Sequence, residues 1–557
     1  MEAFASRAKR TVLALPCCGG QNVTCRILLA QTVPAHIFLG PVIMSFARNI
    51  LLVGSGTAVS RMLGFIRDIL LANLLGAGAV ADAFVVAFRL PNLFRRLFTE
   101  GAFNASFVPV FAELNLQKGA RAGQAFAGQV LTGMMVFVGI ATLAAEIFME
   151  PLVFAMSPGF FKDSAEAALT VYLSRLAFPF LGFCLIAAVF SALLNAREKF
   201  GLAAYAPVVL NVVLIAALVL AAHFAGANAP LTAALVSAGV SLAGLAQVIW
   251  CFWGAGFRDL RLERPRMSGA MRTMLALSVP GLIAGGITQI NGFIGSLVGS
   301  GAPSAVSQLY YADRVYQLPL GLVSTALGLV LLPKLARMFA SGNHDGAQNL
   351  QNAAVESALF LTLPAAVALG VCAMPITAIL FQHGAFDAAA TRATALALQA
   401  FALGLPAFSL AKALQPSFFA LQKMRAPLII ALIGGGLDLA LSLVLFPGFG
   451  AQGIAWAAAA AGWLNAFALA ALLLKSRQWR LQRDVLTRIL LMLISAILTG
   501  VMLLFAVDVL APWLDVARSP LAKLAALSAL VFSGLAFYLA TALVFKCVNW
   551  RAWQNLA

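Results

Sequence analysis

The sequence predicts an all-α polytopic membrane protein: fourteen transmembrane helices, arranged as two six-helix lobes plus two C-terminal helices. Three observations predict it. The 557 residues are 62% hydrophobic and 10% charged, with mean hydropathy +0.95, whereas soluble domains run near one-quarter charged. Apolar runs recur at about 20 residues, the length that crosses a bilayer as a helix, and open strands cannot span lipid. Basic residues collect in alternate connections between those runs.

The first lobe takes residues 44–255. Spans one and two, 50–72 and 78–98, are apolar runs interrupted by arginine. Spans three to six lie at 127–150, 169–195, 206–224 and 230–253, with Lys118 and Arg121, Lys162, and Arg197 and Lys199 between them. The second lobe, 256–475, opens on an arginine-rich connection (Arg258, Arg261, Arg264, Arg266, Arg272) and carries spans at 274–298, 305–332, 353–381, 393–420, 427–446 and 451–474. Residues 476–557 add spans at 487–511 and 521–545 and a tail with Lys546 and Arg551. With a cytoplasmic N-terminus, the even-numbered connections and the tail hold 20 Lys and Arg, and the odd-numbered ones only Lys162, Arg392, Arg518 and Lys523. A missed or extra helix would scramble this alternation, so both termini are expected inside. The net charge of +17 is then an orientation signal and not a nucleic-acid footprint.

Residues 1–43 fit less well. Arg7, Lys9, Arg10 and a short apolar run could pass for a weak signal peptide. Met44, followed directly by Ser45, Phe46, Ala47, Arg48 and the first span, is the more natural start, which makes the preceding stretch a non-native or disordered extension. The seven cysteines are scattered and the four histidines form no cluster, so neither a disulfide framework nor a metal site is expected. A weak internal repeat is present: Gly64, Phe65 and Ile66 recur as Gly292, Phe293 and Ile294, Arg89 as Arg314, and Pro109 as Pro333. The near-constant offset divides the first twelve spans into parallel six-helix lobes with a cavity between them.

The informative residues are cations inside spans. Arg61, Arg67, Arg89, Arg95, Arg96, Arg175, Arg314 and Lys412 lie within or at the edges of apolar runs. A charge in hydrocarbon costs several kcal/mol unless it faces a partner or a hydrated cavity. Asp82, Arg89 and Arg96 are spaced by seven and share one stripe if the helix runs through Pro91; Arg61 and Asp68 have the same spacing. Ion pairing, Arg61 with Asp68 or Arg314 with Asp313, is the plain alternative for any one residue. It cannot absorb the set, because the cations outnumber Asp68, Asp82, Glu100 and Asp313. The surplus points to an anionic cargo, and arginine's fork of donors suits phosphate. No nucleophile arrangement, phosphate-binding loop or metal motif accompanies it, so the expectation is a transporter without a cofactor, not an enzyme.

SRMLGFIRD (Ser60 to Asp68), ADAFVVAFRLPNLFRRLFTEGAFNASFVPVFAE (Ala81 to Glu113), YYADRVYQLPLGL (Tyr310 to Leu322) and SGNHD (Ser341 to Asp345) resemble the MurJ/MviN lipid II flippase family of the MOP exporter superfamily. The resemblance runs from about Met44 to the C-terminus. It implies transfer of undecaprenyl diphosphate bearing a disaccharide-pentapeptide across the bacterial inner membrane by alternating access. Its functional arginines carry over to Arg61, Arg67, Arg95 and Arg314, with Asp82 as the acidic partner; Arg89, Arg96, Glu100, Asp313 and Lys412 form a second tier. The expected form is a monomer in contact with membrane lipid, with other cell-wall synthesis proteins as candidate partners. An inside-negative potential would favour outward movement of anionic groups by about 2.3 kcal/mol per charge per 100 mV. A flippase for another lipid-linked oligosaccharide would share the fold and the basic cavity, and a non-transporting cell-wall scaffold would leave the arginines without a role.

Overall fold

A computed structural model of the chain describes residues 36–98, 103–226, 228–255, 262–287, 289–514 and 518–547. It divides into two compact units, 1–51 and 52–557. The described part of the first unit is the opening of helix α1 (His36–Leu75), which contains Met44; residues 1–35, most of the expected extension, lie outside the described residues.

Every regular element among the described residues of the second unit is helical. After α1 come α2 (Ala79–Leu97), α3 (Asn104–Lys118), α4 (Ala120–Ile147), α5 (Met149–Met156), a 3-10 turn (Pro158–Lys162), α6 (Ser164–Ala177), α7 (Pro179–Ala196), α8 (Phe200–Ala225) and α9 (Ala229–Ala255). Then follow α10 (Gly269–Ile287), α11 (Ile290–Gly299), α12 (Ala305–Ala340), α13 (His344–Val371), α14 (Ala373–Phe381), α15 (Ala388–Ala420), α16 (Arg425–Lys475), α17 (Arg483–Leu514) and α18 (Pro520–Val544). A helix, or a broken pair of helices, covers each range expected to span. Counting α6 with α7 as one, nine helices among the described residues are long and apolar enough to cross a membrane. Helix α2 is excluded from the nine by four charges in 19 residues, Asp82, Arg89, Arg95 and Arg96.

Two expected spans share one unbroken assignment. Helix α16 has 51 residues, about 75 Å if straight at 1.5 Å per residue, far more than a bilayer needs. Its backbone leaves helical geometry at Gly450, with φ +53°, a conformation glycine reaches without strain. There the chain folds back: a Cβ on Gly453 would lie 2.7 Å from the Leu445 carbonyl oxygen, and one on Gly434 would lie 3.7 Å from that of Ala461. Conversely, the expected span at 274–298 is split into α10 and α11, and helix α3 was not foreseen. Its Pro109 matches Pro333, which lies inside the continuous α12, so the two copies of the repeat differ in where the helix breaks.

Helices α2 to α9 pack mainly on one another, and α11 to α16 do likewise. Helix α10 departs from its sequence neighbours and packs on α2 and α3, with a Ser278 to Ser106 hydroxyl hydrogen bond of 2.8 Å. The last two helices attach to the second group mainly through α13, with α18 also packing on α14. One stripe of α13 makes that attachment: Asn349 accepts from Gln482 Nε2 at 2.9 Å, Asn352 accepts from Trp479 Nε1 at 2.7 Å, and Glu356 Oε1 receives Arg488 Nε and Nη2 at 2.9 and 2.6 Å.

Packing along α1 tightens toward its C-terminal end. Leu52, Val53 and Met62 are exposed, whereas Leu71, Ala72 and Leu75 are buried. They join one large core with Phe84, Val85 and Phe88 of α2 and with Tyr310, Tyr311 and Val315 of α12, so the two helix groups are fused at that end.

Candidate functional site

Four hydrogen bonds close the fused end. Ala385 N donates to Asn73 O at 2.9 Å, Tyr311 Oη to Gly76 O at 3.1 Å, Gly159 N to Ser300 Oγ at 3.0 Å, and Ser307 N to Asp82 Oδ1 at 2.7 Å. Gly76 has φ +65°, and a Cβ there would run into the Ala385 carbonyl, so only glycine permits this approach. Asp82 is fully buried and offers its carboxylate to the first turn of α12, where unsatisfied amides and the helix dipole favour a negative group. The resemblance implied an acidic partner for the arginines at Asp82; here its Oδ1 accepts from this main-chain amide. Asp82→Ala is expected to remove about 1 kcal/mol of closure. A reporter cysteine at half-buried Ala77 should then react faster with a thiol reagent, and an unchanged rate would refute the assignment.

Below this seal lies the carboxylate that does pair with arginine. Asp68, 1% exposed, receives Arg67 Nε and Nη2 on Oδ1 at 3.0 and 2.7 Å and Tyr310 Oη on the same atom at 2.9 Å. Arg314 Nε stands 3.3 Å from its Oδ2. The spacing of seven had suggested Arg61 for this role, but one helical rise of seven residues is about 10 Å, and the adjacent Arg67 folds back to reach the acid directly. Arg67 Nη1 also donates to Asn211 Oδ1 of α8 at 3.1 Å. Its guanidinium carbon lies 5.4 Å from the Phe88 ring centroid, and that of Arg314 lies 4.6 Å from the Tyr310 ring, geometry that suits cation–π attraction. The two side chains remain 12% and 22% exposed.

Helix α2 continues through Pro91, so Asp82, Arg89 and Arg96 do share a stripe. Arg89 Nη1 reaches Gly292 O at 2.7 Å and the Ser296 hydroxyl, and Arg96 Nη1 reaches Gln289 Oε1 at 3.5 Å; both cross to the second helix group. Arg95 lies off this stripe. Its Nε donates to Asn92 Oδ1 at 2.8 Å, and its charge acts on Cys184 of α7. Arg61 lies against α12, where a Cβ on Gly321 would meet its guanidinium, and its charge also acts on Lys412 of α15. Asp313 is bonded to Gln317. Glu100 lies outside the described residues. Asn211 and Ser296 were not anticipated. Extending the repeat by two residues would have found Ser296, because an offset of 228 places it at the position of Asp68.

Helices suited to a bilayer, fused at one end around guanidiniums contributed from both groups, make this a polytopic membrane transporter. Its lineage is specific. The family model described as lipid II flippase MurJ matches residues 71–522, and the chain belongs to that family. It is 42% identical over 503 residues to a probable lipid II flippase MurJ of Rhizobium meliloti (strain 1021), covering 90% of this chain and 94% of that one. The probable lipid II flippase MurJ of Rhizobium tropici is 40% identical over 514 residues, covering 91% and 95%. In fold it is similar to a solved lipid II flippase MurJ in an inward closed conformation, with TM-score 0.71 at 24% identity over 89% of this chain and 98% of that one. An inward-facing multidrug resistance MATE family transporter of the MOP superfamily also matches, with TM-score 0.63 at 13% identity over 75% and 94%.

Proposed function

We propose that the chain transfers lipid II, undecaprenyl diphosphate carrying a disaccharide-pentapeptide, from the cytoplasmic to the periplasmic leaflet of the inner membrane by alternating access. The observation that carries this reading is the convergence of Arg67 and Arg314, from opposite helix groups, on the single carboxylate of Asp68. Two largely buried guanidiniums, each with a remaining exposed edge, already hold one anion between the groups. A diphosphate in the same interior would find their remaining donors, and Arg61, Arg89, Arg96 and Lys412 leave the region positively charged.

Bidentate guanidinium–phosphate bonds are charge-assisted and roughly twice as strong as neutral ones, so the headgroup is retained while its tail stays in lipid. Fourteen crossings fit this use: lobes at 44–255 and 256–475, and α17 and α18 outside them beside the tail. On this reading both termini lie in the cytoplasm and the fused end faces the periplasm, an orientation that the basic connections support.

Purified protein in vesicles, supplied with labelled lipid II on one face, tests this. Transfer should exceed that of empty vesicles and fall at least about tenfold in Arg67→Ala and Arg314→Ala, but not in Arg518→Ala. Equal transfer with and without protein would end the reading.

A further inference from the structure

Of the arginine contacts that cross between the helix groups, the repeat relates two. Offsets of 225 and 228 carry Arg89 onto Arg314 and Asp68 onto Ser296, so Arg314 against Asp68 and Arg89 against Ser296 are the same contact made twice. They differ in charge. Arg314 meets a carboxylate at 3.3 Å. Arg89 meets only neutral acceptors, the Gly292 carbonyl at 2.7 Å and the Ser296 hydroxyl, and no carboxylate among the described residues lies in ion-pair contact with it. Asp313, bonded to Gln317, acts on it through space and not by direct contact.

A guanidinium resting on neutral oxygens retains its charge unneutralised, and an anion entering the interior competes for it on favourable terms. Ser296 is fully buried, so its hydroxyl has no solvent to turn to when Arg89 leaves. Helix α11, which carries Gly292 and Ser296, packs chiefly on α16. The Arg89 contact is one of its ties to α2, beside Arg96 against Gln289 and Phe293 packed with Leu90 and Phe94.

We propose that Gly292 O and Ser296 Oγ form a resting berth for Arg89, which transfers to the cargo's diphosphate on binding, so that occupancy loosens α2 from α11. This rests on the reading that the site takes a diphosphate. Affinity is then reduced by the share of molecules in which Arg89 is berthed, and Ser296 acts as a positioning residue that opposes binding.

The test is equilibrium binding of undecaprenyl diphosphate to the full-length protein in lipid nanodiscs. Ser296→Ala should bind about threefold to tenfold more tightly. Ser296→Asp, which recreates the ion pair of the other contact, should bind about tenfold more weakly. Arg89→Gln should weaken binding, and adding Ser296→Ala to it should bring no gain, because the two act through one contact. Unchanged or weaker binding by Ser296→Ala, or full additivity in the double variant, overturns the berth while leaving the diphosphate site intact. Absence of binding by the parent protein overturns both.

Discussion

Asp68→Asn is expected to destabilise the protein by about 3–5 kcal/mol and to abolish transfer. The asparagine keeps the size of the side chain but removes the charge that Arg67 meets at 2.7 Å and Arg314 at 3.3 Å. Stripping one partner from a buried ion pair leaves an uncompensated charge in low dielectric, which accounts for the magnitude. Thermal unfolding in detergent reads it. Arg61→Ala is the contrast, since Arg61 makes no ion pair among the described residues; it should lose transfer and keep its melting temperature. Equal melting of Asp68→Asn and the parent protein would show that Asp68 does not hold the interior together.

The second large effect lies far from that interior. Arg488→Ala should leave the Glu356 carboxylate, 1% exposed, without the two hydrogen bonds of 2.9 and 2.6 Å that neutralise it, again a cost of about 3–5 kcal/mol. Because this pair anchors α17 on α13, early proteolysis should appear in the connection around Ser476 to Gln482. The double variant Glu356→Leu with Arg488→Leu should recover stability to within about 1 kcal/mol, since apolar packing commonly replaces a buried ion pair without loss. A double variant as unstable as Arg488→Ala would show that the carboxylate is not the source of the damage.

Much of the fold was legible because bilayer-spanning helices announce themselves by composition, and the break between the expected spans ending at 446 and starting at 451 coincides with the turn at Gly450. The break between α10 and α11 was not legible, because the residues around Gln289 belong to an apolar run that reads as one helix. Of the site, the identity of the cations was visible, since charge in an apolar segment is conspicuous. Their partners were not. Spacing by seven offered Arg61 to Asp68, whereas side-chain reach gave it Arg67 and a residue 246 positions away, Arg314. Asn211 stayed hidden because one amide in an apolar span has no pattern to mark it. Arg95 is selected by similarity alone, while the stripe through Pro91 turns Arg89 and Arg96 toward the second helix group.

Each of the four bonds at the fused end uses a main-chain atom on at least one side: the amides of Gly159, Ser307 and Ala385 and the carbonyls of Asn73 and Gly76. Evolution edits side chains and leaves peptide groups in place. Only the bond from Ala385 N to Asn73 O is main chain on both sides and indifferent to drift in amino-acid identity; the other three also need the side chains of Tyr311, Ser300 and Asp82, and position 76 must stay glycine. A survey of variation would pass over the Ala385 to Asn73 bond and still find the door at Gly76, Asp82, Ser300 and Tyr311.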